Sequence, residues 1–280
     1  VNATADPGSA WSNLATTGIS ADGTICLYTL AASHLIVDIN GYTPSTSTIT
    51  ATTPERLLET RAAFGQIGYS GAKPAAGSTI ELDVTQVGAN QVAADAKAVF
   101  VNVTAVNADA AGFVTVWSCD GARPSSSALN YEPGSALPNL TVAPIGAGGT
   151  ICLYTLASTD LVVDVLGQVP MGSQYVPAGP ERILETREEI GQVGYTGTQP
   201  AAGQVIELQV TGVGATNVPA TATSALLNVT TTNESAVGYF TVWPCGQALP
   251  TASSGNYRGV GKSTANTVVA SIGDSGRVCI

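Results

Sequence analysis

A chain of 280 residues and 28.1 kDa, 44% hydrophobic, has length for about two domains with real cores. Only 11% of its residues are charged, which excludes disorder driven by charge, and its net charge of −10 opposes nucleic acid and anionic lipid as partners. No apolar run approaches the roughly 18 residues needed to span a bilayer, so no membrane insertion is expected. The sequence opens at Val1 without an initiator Met, and any export signal is expected to have been removed or to lie outside it.

The first element is "TICLYTLAASHLIVDING", residues 24–41, in which Leu35, Val37 and Ile39 share one face of a predicted strand. It returns as "TICLYTLASTDLVVDVLG" at residues 150–167, a shift of 150 − 24 = 126. The same shift lays "PERLLETRAAFGQIGYSGAKPAAGSTIELDVTQVGA" from Pro54 onto "PERILETREEIGQVGYTGTQPAAGQVIELQVTGVGA" from Pro180, and "GFVTVWSC" onto "GYFTVWPC". A period this long indicates duplicated domains, since solenoid units repeat every 20–50 residues. Residues 1–44 then form the second half of an incomplete unit, 45–53 a linker, 54–169 a complete unit, 170–179 a linker, and 180–280 a unit lacking its closing strands.

Within the complete unit Ile80, Leu82 and Val84 alternate with polar residues, as do Val99, Val101 and Val103. Turn clusters such as "NADAAG", "YEPGSALPN" and "GAGG" separate such runs at intervals of about ten residues. The best helical candidate, "VAADAKAV", is short and runs into "VFVNVT". The expected fold class is therefore all-β: tandem β-sandwich domains of about 126 residues with seven or eight strands each.

Three arrangements answer the missing strands. The chain is a stretch of a longer tandem array; its N-terminal strands complete the open sandwich of the next subunit in a head-to-tail filament; or they close onto its own C-terminal unit. An open sheet edge is costly enough that some partner is expected, either copies of the chain or adjacent repeats.

Cysteine spacing follows the repeat. Cys119 and Cys152 lie 33 residues apart, Cys245 and Cys279 lie 34 apart, and Cys26 matches Cys152 with no predecessor. Two disulfides are expected, Cys119–Cys152 and Cys245–Cys279, with the partner of Cys26 outside the sequence, and they imply an oxidising, extracytoplasmic location. Free thiols are the competing reading; a metal site is opposed by the wide spacing.

The string "RLLETR", "ELDVTQVG", "AVFVNVTAVNADAAGFVTVWSC" and "TICLYTLASTDLVVDVLG" resembles a module common in secreted and cell-surface proteins of actinobacteria and related bacteria. Its general pattern is "RLLDTR", "LNVT", "GFVTVYPCG" and "LIVDVNGYF". The resemblance covers essentially the whole chain and implies an extracellular structural or adhesive part without naming a ligand. Gln168 stands where the pattern has the aromatic seen at Tyr42, and Glu59 and Glu185 replace its commoner Asp.

No catalytic group stands out, and no enzyme activity, cofactor or metal is expected. The only histidine, His34, has Asp160 as its counterpart, which leaves no Ser–His–acid set. Glu55 with Glu59 and Glu181 with Glu185 could pass for glycosidase carboxylates, but each pair straddles an arginine. Asp38 and Asp164 sit in apolar strands and need donors; Asp164 is expected to meet an arginine of the opening motif, Arg61, with Arg187 the equivalent in the next copy. Asp38 would need an arginine from another unit. Calcium is the runner-up for these acids, although "DING", "NADAAG" and "NESAVG" lack the spacing of a calcium loop. Asn102 and Asn228, in "NVT" triplets, are read as inward or cross-strand hydrogen-bonding residues rather than glycosylation acceptors. Trp117 and Trp243 either pack under a turn or form sugar-stacking platforms. The leading expectation is an extracellular structural protein forming part of a bacterial surface fibre, stalk or filament; the alternative is a lectin-like or adhesin module that binds glycans.

Overall fold

Alternating apolar residues become strands wherever a second strand is available to share their backbone hydrogen bonds. The computed structural model describes residues 12–39, 41–44, 46–89 and 92–280, with Arg258 by its backbone only. Among them are fifteen β-strands, three single-turn 3₁₀ segments and no α-helix. The complete repeat copy folds as β1 (Thr50–Glu59), β2 (Thr79–Asp83), β3 (Ala98–Val106), β4 (Gly112–Ser118), β5 (Leu129–Tyr131), β6 (Leu137–Pro144), β7 (Thr150–Thr155) and β8 (Asp160–Val169). They build two four-stranded antiparallel sheets, β1-β8-β3-β6 and β2-β7-β4-β5. Leu58, Val101, Val103, Leu161, Val163 and Val165 from the first sheet share one core with Leu82, Val114, Val116, Ile151 and Leu153 from the second. The candidate helix "VAADAKAV" is absorbed into β3 and the turn before it, because Val99, Val101 and Val103 bury completely at period two.

Strand β1 begins inside the segment expected as a linker. Thr50 and Ala51 already pair with Gln168 and Gly167, and the register slips between Ala51 and Glu55, across Pro54. Pro54 has no N–H to give, which an edge strand tolerates. A Cβ on Gly167 would meet the carbonyl oxygen of Thr50, so the glycine lets the two backbones close.

The second copy forms β9 (Glu207–Gln209), β10 (Ser224–Thr232), β11 (Val237–Phe240), β12 (Trp243–Pro244), β13 (Gly255–Arg258), β14 (Ser263–Ser271) and β15 (Arg277–Cys279). Their ladders are β10-β14, β11-β13 and β12-β15-β9. Strand β10 is the repeat counterpart of β3 and β14 that of β6. Whereas β3 pairs with both β6 and β8, β10 pairs with β14 alone among the described residues. Residues 176–185, the counterpart of β1, form no strand beyond a single Glu185–Val193 bridge. In the complete copy β1 runs beside β8, and among the described residues no strand lies beside residues 176–185 in that way. The main buried cluster of the second copy is smaller, with Leu208, Val210, Ala270 and Val278, and Trp243, Cys245 and Cys279 form a second small one.

The N-terminal segment corrects an expectation. Residues 35–39 do not form a strand, and Leu35, Val37 and Ile39 are 56%, 63% and 83% exposed. The matching sequence is a strand at β8 because β1 and β3 hydrogen-bond to its two edges, and residues 35–39 have neither neighbour among the described residues.

Candidate interaction site

Two features recur between the copies, a charged latch and an asparagine contact. The latch lies where β1 crosses β8. Arg56 Nε donates to Asp164 Oδ1 at 2.9 Å, and its Nη1 donates to Glu59 Oε2 at 3.1 Å. Glu59, 1% exposed, also accepts from the Arg61 backbone N–H, Nε and Nη2. The arginine that meets Asp164 is thus Arg56, and the expected Arg61 is occupied by Glu59 two residues away. Strand alternation explains the difference: Arg56 lies directly across from Asp164 in the β1–β8 register, whereas Arg61 lies beyond the end of β1.

The second copy reproduces half of this arrangement. Arg187 and Arg182 hold Glu185 as Arg61 and Arg56 hold Glu59. Among the described residues Arg182 has no aspartate opposite, and it also donates to the Ser125 carbonyl at 3.4 Å. Asp38, the repeat counterpart of Asp164, lies on the exposed N-terminal segment. The two arginines, chiefly Arg187, bring the Glu185 carboxyl down to about 2 against the opposing effect of burial. Because the folded value is depressed, its stabilisation is fully present above the unfolded carboxylate's ~4.3 and is lost as pH falls toward about 2. Glu59 is lowered as well, its arginines outweighing burial. Acid titration followed by circular dichroism is therefore expected to show stability falling below pH ~4, and Glu185→Gln to flatten that fall.

The other sequence candidates fall outside a reactive arrangement. The Glu55 carboxylate accepts from the Ala89 N–H, and Glu181 from the Ala215 and Thr216 N–H groups, so both tie loops to the opening motif. Trp117 and Trp243 are each 8% exposed, and their indole N–H groups donate to Gly121 O and Gln247 O. They pack under turns, which corrects their place as candidate stacking platforms. Cys119–Cys152 and Cys245–Cys279 are disulfides between partners 33 and 34 positions apart, while Cys26 is a free, exposed thiol. These bonds mark folding in an oxidising compartment. Among the described residues no helix is long and apolar enough to cross a membrane, and no cluster of three or more His, Cys, Asp or Glu could hold a metal ion.

The asparagine contact is absent from the sequence expectations. Asn139 on β6 donates to Asn228 Oδ1 at 2.9 Å, and its own Oδ1 accepts from the Thr267 N–H of β14 at 3.2 Å. One period earlier, Asn13 donates to Asn102 Oδ1 at 3.0 Å and accepts from the Leu140 N–H of β6 at 3.2 Å. Since β6 and β14 are edge strands, each asparagine amide caps the exposed edge of the next copy. Asn102, read from sequence as an inward or cross-strand hydrogen-bonding residue, is fully buried, and both it and Asn228 also accept from an asparagine of the preceding copy. A signal exists in the sequence: Asn13, Asn139 and Asn266 recur in "SNL", "PNL" and "ANT" at the repeat spacing.

Comparison with protein-family models and with curated proteins gives no match.

Proposed function

We propose that this chain is an extracellular structural protein, part of a bacterial surface fibre, stalk or filament built from tandem β-sandwich modules. Chains are joined by strand complementation: residues 34–42 of one chain enter the second copy of the next, between residues 176–185 and β10. The observation that carries this reading is the free edge of β10 beside an unpaired β1 counterpart, in a chain that also holds an exposed copy of the strand fitting between them.

The register of the complete copy supports the fit. Val163 and Val165 of β8 lie opposite Val103 and Val101 of β3, so Val37 and Ile39 would lie opposite Val229 and Leu227. Asp164 lies opposite Arg56, so Asp38 would reach Arg182. Gly41 matches Gly167, yet a Cβ there would meet nothing within 4 Å. A backbone seated against it, as Thr50 seats against Gly167, gives that glycine a reason. Burying three aliphatic side chains adds roughly 1.5–3 kcal/mol each before the cost of ordering the donor. The disulfides and the resemblance to secreted modules support the extracellular setting.

Sedimentation velocity over a wide concentration range tests the reading. The wild-type chain is expected to form a concentration-dependent series of oligomers, and Val37→Lys to sediment as a monomer with unchanged circular dichroism. A wild-type monomer at every concentration would count against a filament and leave the slot to a segment of a longer chain.

A further inference from the structure

The asparagine contacts have a third member that is not satisfied. Asn266 on β14 is the next asparagine in the series; its Nδ2 donates to the Ser254 carbonyl as Asn139 Nδ2 does to Ala128. Asn266 is 5% exposed, and its Oδ1 is buried without a hydrogen-bond partner. In the two earlier members that same atom accepts the N–H of the residue after the next copy's asparagine. A buried amide oxygen left unpaired costs about 1–3 kcal/mol, so its partner needs to be found.

The series turns back on itself. The step from Asn13 to the first copy and the step from Asn139 to the second use the same pair of bonds, so they share one geometry. After those two steps the second copy touches the starting segment: the Asn256 N–H donates to Ser12 Oγ at 3.2 Å. A cavity of about 30 Å³ is lined together by Ser12 and Asn13, by Leu137 and Pro138, and by Thr264 and Ala265. Ser12, Pro138 and Ala265 are the same strand position in three successive copies, and Asn13, Leu137 and Thr264 adjoin it. A repeated step whose third copy meets the first is a closed threefold rotation.

We infer that the repeat copies dock around a pseudo-threefold axis, and that the Leu14 N–H closes the ring by donating to Asn266 Oδ1. Residues 12–14 then act as the third copy's counterpart of β6, and all three edge strands are capped. The inference rests on reading the chain as tandem copies and is independent of strand complementation. It also gives that reading a geometry: a closed interface cannot propagate, so elongation has to use another surface, and the open β10 position is such a surface.

Amide hydrogen exchange by NMR on the full chain, in the Val37→Lys background, tests the closure. Leu14 is expected to exchange about tenfold more slowly than Ala15, the protection that one ordinary hydrogen bond supplies. Asn266→Asp, which keeps the acceptor, is expected to retain that protection, and Asn266→Ala to remove it. Exchange of Leu14 at the rate of its neighbour while Asn266 is intact would overturn the closed ring, and so would protection that survives Asn266→Ala. The Leu14 rate with Asn266 intact decides the matter even where an Asn266 variant fails to fold. Failure of self-association would leave this result untouched.

Discussion

Replacing Cys245 and Cys279 together by serine is expected to unfold the second copy, while the same change at Cys119 and Cys152 leaves a folded, weakened first copy. Both bonds close loops of similar size, 34 and 33 residues, and loop-closure entropy assigns each about 3–4 kcal/mol. The difference lies in what else holds the strand. β7 is paired along its length with β2 and β4, and Ile151 and Leu153 are fully buried. β15 has three residues, held by β9 on one side and by the two-residue β12 on the other. A loss of 3–4 kcal/mol is a large share of the roughly 5–15 kcal/mol that stabilise a typical domain, and the second copy starts from a smaller core. Urea unfolding of the two double variants, followed by tryptophan fluorescence, separates the cases. Equal losses of stability would show that the ladder around β7 contributes nothing beyond its disulfide.

Arg56→Ala is expected to destabilise the first copy by about 2–3 kcal/mol, and Arg182→Ala to cost less than about 1 kcal/mol in the monomer. Arg56 satisfies two carboxylates, one of them Glu59 at 1% exposure, and its loss leaves Asp164 without its charged partner in an apolar strand. The cost stays below the roughly 3–5 kcal/mol typical of breaking a fully buried pair, since a third of the Arg56 side chain meets water. Lysine is not expected to rescue, because the site uses three separate nitrogens of the planar fork. Among the described residues Arg182 meets Glu185 and makes a long contact to Ser125, so the monomer loses little. Its value would appear on assembly, when Asp38 arrives. Thermal melting of both variants measures the contrast, and equal shifts would remove the latch from the account.

The parts of this fold legible in the sequence are those set by local alternation and by the repeat. Val99, Val101 and Val103 announce β3, and Ile80 and Leu82 announce the half-buried β2, because period two in a strand is written in consecutive residues. The disulfide pairs follow from spacing carried through both copies. Residues 35–39 depart from their pattern for a physical reason: an apolar alternating sequence is a strand only beside another, and the pattern cannot show whether a neighbour exists. The latch is legible as a need, since a carboxylate among valines requires donors, yet register decides that Arg56 and not Arg61 answers it. The asparagine contacts stay hidden because an asparagine within "NVT" or "PNL" reads as a local hydrogen-bonding residue, and only packing between copies shows that its amide caps a neighbouring edge.

Strand complementation with Asp38 seated on Arg182 is tested most directly by charge reversal and mixing. Asp38→Arg and Arg182→Asp are each made in the full chain, and their mass distributions are measured by sedimentation velocity alone and in equimolar mixture. Each variant alone is expected to be monomeric, since two like charges would meet in every junction. The mixture is expected to recover oligomers, because every junction between unlike chains then joins opposite charges. Oligomers of undiminished size from either variant alone, or a mixture that stays monomeric while wild-type chains associate, would contradict the proposed junction.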